Sequence, residues 1–191
     1  VVNANTSYTP TTSIKLYGKW TPTTYNITYA MNNGTNNGNN PDNYTIESDS
    51  ITLQAPTKTL TFIGHYNDTN GANASSSTNV VIGSNTSQAQ TFKGWEGTGL
   101  TGQANTSVTI PTGSTGDRSY TAHWTAVAGT VPTVTRIGYT CGWSTSSTGT
   151  TIEIASGGSY ATSRISEGMS ANVDLYAVCT PNTYQVAYNG N

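Results

Sequence analysis

Two stretches of this chain align without a gap at an offset of 159 residues. Leu16-Tyr17-Gly18-Lys19-Trp20-Thr21-Pro22-Thr23-Thr24-Tyr25-Asn26-Ile27-Thr28-Tyr29 matches Leu175-Tyr176-Ala177-Val178-Cys179-Thr180-Pro181-Asn182-Thr183-Tyr184-Gln185-Val186-Ala187-Tyr188. A self-match constrains the fold before any local propensity does, because it marks one supersecondary unit used more than once. The first half recurs again as Tyr120-Thr121-Ala122-His123-Trp124-Thr125, after the turn-like Gly113-Ser114-Thr115-Gly116-Asp117. A second motif, Thr91-Phe92-Lys93-Gly94-Trp95, recurs one residue tighter as Tyr139-Thr140-Cys141-Gly142-Trp143. The first motif closes a module and the second sits inside one. The chain therefore divides into the end of a preceding repeat (1–21), a long module (22–125), a short module (126–180) and the opening strand of the next repeat (181–191). On this division both ends are cut edges, and the chain is expected to be processed or taken from something longer.

The modules read as β. Val, Ile and Thr total 59 residues against 38 for Ala, Leu, Glu, Lys, Gln, Arg and Met together, so strand formers dominate. Alternation places strands at Tyr25-Ile27-Tyr29, Ile51-Leu53, Leu60-Phe62, Val80-Ile82, Val108-Ile110 and Tyr184-Val186-Tyr188, and no segment keeps a helical period over ten residues. Asn32–Asn40 and Asn67–Ser77 read as long exposed loops. The expected class is all-β, in tandem elongated modules with essentially no helix.

Charge narrows the function classes. Only 8% of the 191 residues are charged and the net charge is -2, against roughly 25% charged in an ordinary soluble domain. Nucleic-acid backbones and anionic lipid surfaces are therefore poor partners. Thr 37, Ser 20 and Asn 20 supply a surface of small uncharged hydrogen-bonding groups, as an exterior wall requires. No apolar run approaches the ~18 residues of a membrane span.

The order Tyr25-Asn26-Ile27-Thr28-Tyr29, Asn33-Gly34-Thr35-Asn36-Asn37, Pro41-Asp42-Asn43-Tyr44-Thr45, Ile51-Thr52-Leu53, Pro56-Thr57-Lys58, Phe92-Lys93-Gly94-Trp95 and Ile110-Pro111 through Ala122-His123-Trp124 resembles the Listeria–Bacteroides repeat of bacterial surface proteins, related to the internalin B repeat. The likeness covers most of 14–188. It implies tandem β-grasp-like modules, or β-sandwich-like ones, used as stalks and adhesive elements of secreted or wall-attached proteins. It brings no enzymatic residues and no cofactor. This chain departs from the pattern at Cys141, at Cys179 where the terminal Trp stands, and in an extra stretch around 60–90.

Cys141 and Cys179 fall at related module positions where aromatic residues are expected. An even cysteine count in a chain of extracellular character points to a disulfide, worth roughly 3–4 kcal/mol in the chain-entropy account; two buried thiols are the alternative. Trp20, Trp95, Trp124 and Trp143 read as core, because so few Leu and Phe are present, and sugar-stacking platforms are the other use for such rings. His65 and His123 stand isolated in the sequence, the carboxylates are scattered, and no metal or nucleophile spacing occurs. Asp42 with Asn33, Asn36, Asn37 and Asn40 offers only a weak Ca²⁺ ligand set. An intramolecular Lys–Asn isopeptide needs Lys15, Lys19, Lys58 or Lys93 buried beside an Asn and an acid, whereas all four read as polar strand positions. Eight Asn-x-Ser/Thr sequons follow from composition alone.

These readings converge on a non-enzymatic structural segment of a bacterial extracellular, cell-surface stalk or fibre, assembled head to tail with adjacent copies or repeats of itself. A carbohydrate-binding adhesin module, whose partners are host or environmental glycans, is the alternative. Tyr184, Val186 and Tyr188 form an apolar strand face with no module of its own, and an unpaired strand seeks a partner. Its candidate partners are the short module, which has only the stretch from Thr125 to Gly142 in which to find an opening strand, or the next subunit.

Overall fold

A computed structural model describes residues 5–66 and 79–190. The loop expected at Asn67–Ser77 lies outside them, with two of the sequons. In chain order the strands are β1 (Thr24–Ala30), β2 (Asn43–Thr45), β3 (Ile51–Thr52), β4 (Thr59–His65), β5 (Val81–Ile82), β6 (Thr86–Ala89) and β7 (Thr91–Gly97). They continue as β8 (Thr109–Ile110), β9 (Arg118–Thr125), β10 (Gly129–Thr130), β11 (Val134–Thr135), β12 (Tyr139–Ser144), β13 (Ile154–Ala155), β14 (Ser159–Tyr160) and β15 (Asn172–Pro181). The protein is all-β; one three-residue 3-10 turn, Thr162–Arg164, is the only helical element among the described residues.

Two sheets carry the fold, and they share one plan. In the first, of order β2-β1-β9-β7, the opening strand β1 runs parallel to the closing strand β9, and the Gly-Trp strand β7 lies antiparallel on the other flank of β9. The second sheet, of order β13-β12-β15-β4-β6, repeats this: β4 runs parallel to the closing strand β15, and the Gly-Trp strand β12 lies antiparallel on its other flank. The registers agree as well. Tyr29 stands opposite Tyr120 in one sheet and Gly64 opposite Leu175 in the other.

The strands do not pair by the boundaries read from the sequence. Residues 59–89 were expected inside the long module 22–125, yet β4 and β6 hydrogen-bond into the sheet of β15, and β5 pairs with β11. The cores divide the same way. One holds Ile27, Tyr44, Leu53, Trp95, Val108, Ile110, Tyr120, Ala122 and Trp124. The other holds Leu60, Phe62 and Val80 with Val131, Val134, Trp143, Ile154, Tyr160, Val173, Leu175 and Ala177. The modules are therefore interleaved: 24–58 with 91–125, and 59–89 with 129–181. The "extra" stretch is the missing opening of the second module.

The glycine of each Gly-Trp motif has a steric reason. A Cβ on Gly94, whose φ is +147°, would stand 2.5 Å from the backbone of Ala104 and Asn105; one on Gly142 would stand 2.5 Å from Ile154 O. Each glycine thus lets the following chain lie against the strand, and the next residue, Trp95 or Trp143, is fully buried.

Three further expectations change. Trp20 is 92% exposed, unlike Trp95, Trp124 and Trp143, because no opening strand lies beside 14–20 to complete a core over it. Residues 182–190 are exposed and form no strand, and β4 already occupies the seat beside β15. The loop Asn32–Asn40 is not wholly exposed: Asn40 is buried, its amide donating to Asn36 Oδ1 and Gln54 O while its Oδ1 accepts from Gln54 N.

Leu60, Phe62 and Val80 each contribute roughly 1.5–3 kcal/mol of burial, so the second module cannot spare them. Residues 126–181 expressed alone should lack near-ultraviolet circular dichroism and show Trp143 in a water-exposed environment. Adding a peptide of residues 57–89 should restore both signals, whereas a natively folded 126–181 fragment would show that β4 is dispensable.

Candidate functional site

Interleaving forces the chain to pass between modules three times, at 58, at 90 and at 125–128. Buried polar side chains gather at these crossings, where backbone groups lose their regular partners. Gln90 N donates to Lys58 O at 2.8 Å. The Gln90 carboxamide accepts from Val127 N at 2.8 Å and donates to Val127 O at 3.1 Å, tying the second crossing to the third.

Lys58 was read as a polar strand position, but it is buried. Its ammonium donates to Asn32 O at 2.7 Å and Glu167 O at 2.6 Å, one carbonyl from each module. Burial holds its pKa below the ordinary lysine value, an effect the neighbouring Glu167 carboxylate opposes. The Asn32 and Asn33 amides are directed elsewhere, to Ala122 O and Gly168 O. The lysine therefore faces carbonyl oxygens and not a carboxamide carbon, and the isopeptide arrangement is not formed. Lys15, Lys19 and Lys93 are exposed.

His123, isolated in the sequence, is buried between two carboxylates. Its Nδ1 lies 2.9 Å from Glu167 Oε1 and its Nε2 2.9 Å from Glu96 Oε2. Each ring nitrogen thus has a carboxylate oxygen within hydrogen-bond distance. Glu167 Oε1 also accepts from Trp124 N at 2.7 Å. The loop before β15 thereby caps the end of β9, and the Trp124 indole donates separately through Nε1 to Met31 O. The two carboxylates lie on opposite sides of the ring, not around a common point, and no group of three metal-type ligands occurs among the described residues. His65 is paired too, at 2.7 Å from Asp174 Oδ1.

The junction borders a half-open cleft of about 30 Å³ lined by Lys58, Gln90, Trp124, Ile165 and Glu167, space for a water and not for an organic substrate. A shallow open groove runs along β1 past Asn26, Tyr29, Asn36 and Asp42. Of the asparagines considered as Ca²⁺ ligands, Asn36 and Asn37 accept hydrogen bonds from within the loop and Asn40 accepts from Gln54 N.

Cys141 and Cys179 form a disulfide directly across β12 and β15, with Cα atoms 4.1 Å apart. The corresponding cross-strand pair in the first module is Phe92 opposite Trp124, whose rings meet edge-on at 5.7 Å. A bulge at Phe92–Gly94 adds Lys93 there, which explains why the second Gly-Trp motif is one residue tighter. A covalent bridge thus stands where an aromatic pair closes the other module. Tyr184, Val186 and Tyr188, the expected assembly residues, are all exposed and outside both cores.

Comparison with family models, with curated proteins and with solved structures finds no match to this chain. Of the junction residues, the sequence singled out Lys58 as an isopeptide candidate, His123 as an isolated histidine and Trp124 as core, and passed over Gln90, Glu96 and Glu167. The signal that finds the rest is scarcity: in a chain with 8% charge, every Glu and His is a candidate for a buried contact.

Two outcomes are expected. Glu167→Ala strands the Trp124 N–H and one side of His123, and should lower the unfolding free energy by roughly 2–3 kcal/mol, with Glu167→Gln intermediate because it keeps a neutral acceptor. An unchanged urea midpoint in both would show that this cap adds nothing. Replacing Cys141 and Cys179 by Ser should cost about 3–4 kcal/mol for a 38-residue separation; a loss below about 1 kcal/mol would leave the bridge without a stabilising role.

Proposed function

We propose that this chain is a structural, non-enzymatic repeat segment of a bacterial extracellular stalk or fibre that assembles head to tail. The observation that carries this reading is where the buried charged and amide side chains are spent. Lys58, Gln90, His123 and Glu167 suture one module to the next, with Glu96 holding the other side of the His123 ring from within the first module, and they surround no substrate-sized space. A module that hands a strand to its neighbour resists separation by pulling, which is the task of a stalk. The disulfide suits an oxidising, extracellular location, and the sparse surface charge suits contacts built from backbone hydrogen bonds and apolar faces. The resemblance to surface-protein repeats points the same way.

The sugar-binding alternative would use exposed rings. Tyr8, Tyr17, Trp20, Tyr66, Tyr184 and Tyr188 are exposed, but all except Tyr66 occupy the two end segments, and the repeat counterparts of Trp20 and Tyr188, Trp124 and Tyr29, are buried or half-buried. Exposure there marks unfilled strand positions. Negative-stain electron microscopy of the concentrated protein should show end-to-end rods, and a glycan array should give no saturable signal. Monomeric particles together with glycan binding that is lost in Trp20→Ala would replace this reading with the adhesin.

A further inference from the structure

The loop after β1 holds two Asn-Gly pairs, Asn33–Gly34 and Asn37–Gly38, and the fold treats them in opposite ways. An asparagine reacts most readily with the chain that follows it when glycine comes next, because glycine puts no Cβ beside its own amide nitrogen and leaves the backbone free to turn. A clamped pair is spared this reaction, whereas a free pair undergoes it.

The fold needs Gly34. A Cβ there would collide with the Trp124 ring and with Thr57 O. Its N–H donates to Met31 O at 2.9 Å, and Thr35 beside it exchanges hydrogen bonds with Thr57 at 2.7 and 3.0 Å. The Asn33 amide is drawn across the module junction to Gly168 O, at 2.8 Å. Nucleophile and electrophile are each held by another partner.

The fold does not need Gly38. Nothing lies within 4 Å of where its Cβ would stand, and it is not among the glycines of positive φ. It sits in a turn closed by Asn40 N, which donates to Asn37 O at 3.0 Å, and its own N–H has no hydrogen-bond partner among the described residues. Asn37 Oδ1 accepts from Asn39 N at 3.0 Å, a bond that closes a ring around the Asn37–Gly38 peptide and draws electron density from Cγ. The remaining tie on the carboxamide is Nδ2 to Ala55 O at 3.3 Å.

We propose that Asn37 is a site of spontaneous modification, converting through a cyclic imide to aspartate and isoaspartate, while the module junction keeps Asn33 as asparagine. The Gly38 nitrogen gives its proton to solvent base and attacks Asn37 Cγ. The N–Cγ bond forms, the Cγ–Nδ2 bond breaks, and ammonia leaves with a proton returned by solvent. Water then adds to either imide carbonyl and reopens the ring, so one water enters for each ammonia lost. Either product has a free carboxylate and no Nδ2 donor. The bond to Ala55 O is therefore lost beside the Asn40–Gln54 contacts, and a chain of net charge -2 gains a further negative charge.

The intact protein is incubated in mildly alkaline buffer, folded and in parallel in urea, until the exposed pair Asn189–Gly190 has largely reacted; each site is followed by peptide mapping with mass spectrometry. A fourth pair, Asn70–Gly71, lies outside the described residues. In the folded protein Asn37 should convert at least about tenfold faster than Asn33, whose reaction waits for local opening, and in urea the two rates should come together. Gly38→Ala, which the open space admits, should suppress the product at 37 and leave the circular dichroism unchanged. Conversion of Asn33 as fast as Asn37 in the folded protein would show that the junction protects nothing. An Asn37 that stays intact, or a product at 37 undiminished in Gly38→Ala, overturns the site.

Discussion

The structure depends on the parallel pairing of β4 with β15. Five consecutive residues, Asn172–Tyr176, stand in register with Thr61–His65, and they bring together chain segments more than a hundred residues apart. Everything in the second module is assembled around this pair: β12 and its disulfide on one flank, β6 on the other, Leu60 and Phe62 in the core below. The first module is equally bound by it, because β4 leaves from Lys58 and the chain re-enters the first sheet one residue beyond β6. Neither module can be lifted out without breaking the chain's path through the other.

This path explains where the few charges go. Three crossings in one place leave backbone carbonyls and N–H groups without strand partners. Lys58 supplies donors to two carbonyls, Glu167 an acceptor to Trp124 N, and Gln90 both functions to Val127. Burying a lysine is costly unless its protons are used. Here two are directed at carbonyls, and a carboxylate lies near. The same economy appears in how each module closes its last strand, with an edge-on Phe92–Trp124 contact in one and a disulfide in the other.

Much of this was legible in the residues. The all-β class is real, both copies of the Gly-Trp motif are strands, two of the three closing-strand copies are strands while 16–21 is not, and Leu60-Phe62 read correctly as a strand. Its partner did not. Alternation tells which face of a strand is buried and says nothing of which closing strand it joins; β4 precedes β7 and β9 in the chain, so it read as an enlargement of the first module. Trp20 failed for a related reason: its residue type matches Trp124, but burial is a property of the completed pair. His123 looked isolated because its carboxylates come from β7 and from the loop before β15, 27 and 44 residues away.

The central claim is that β4 belongs energetically to the second module while being carried by the first. Native-state amide hydrogen exchange reads this residue by residue, because strands that open together share one opening free energy. The account predicts that the amides of 59–65 exchange with the same free energy and denaturant dependence as those of 172–176. Exchange of 59–65 in step with 24–30 and 118–125, or as fast as the end segments, would contradict it.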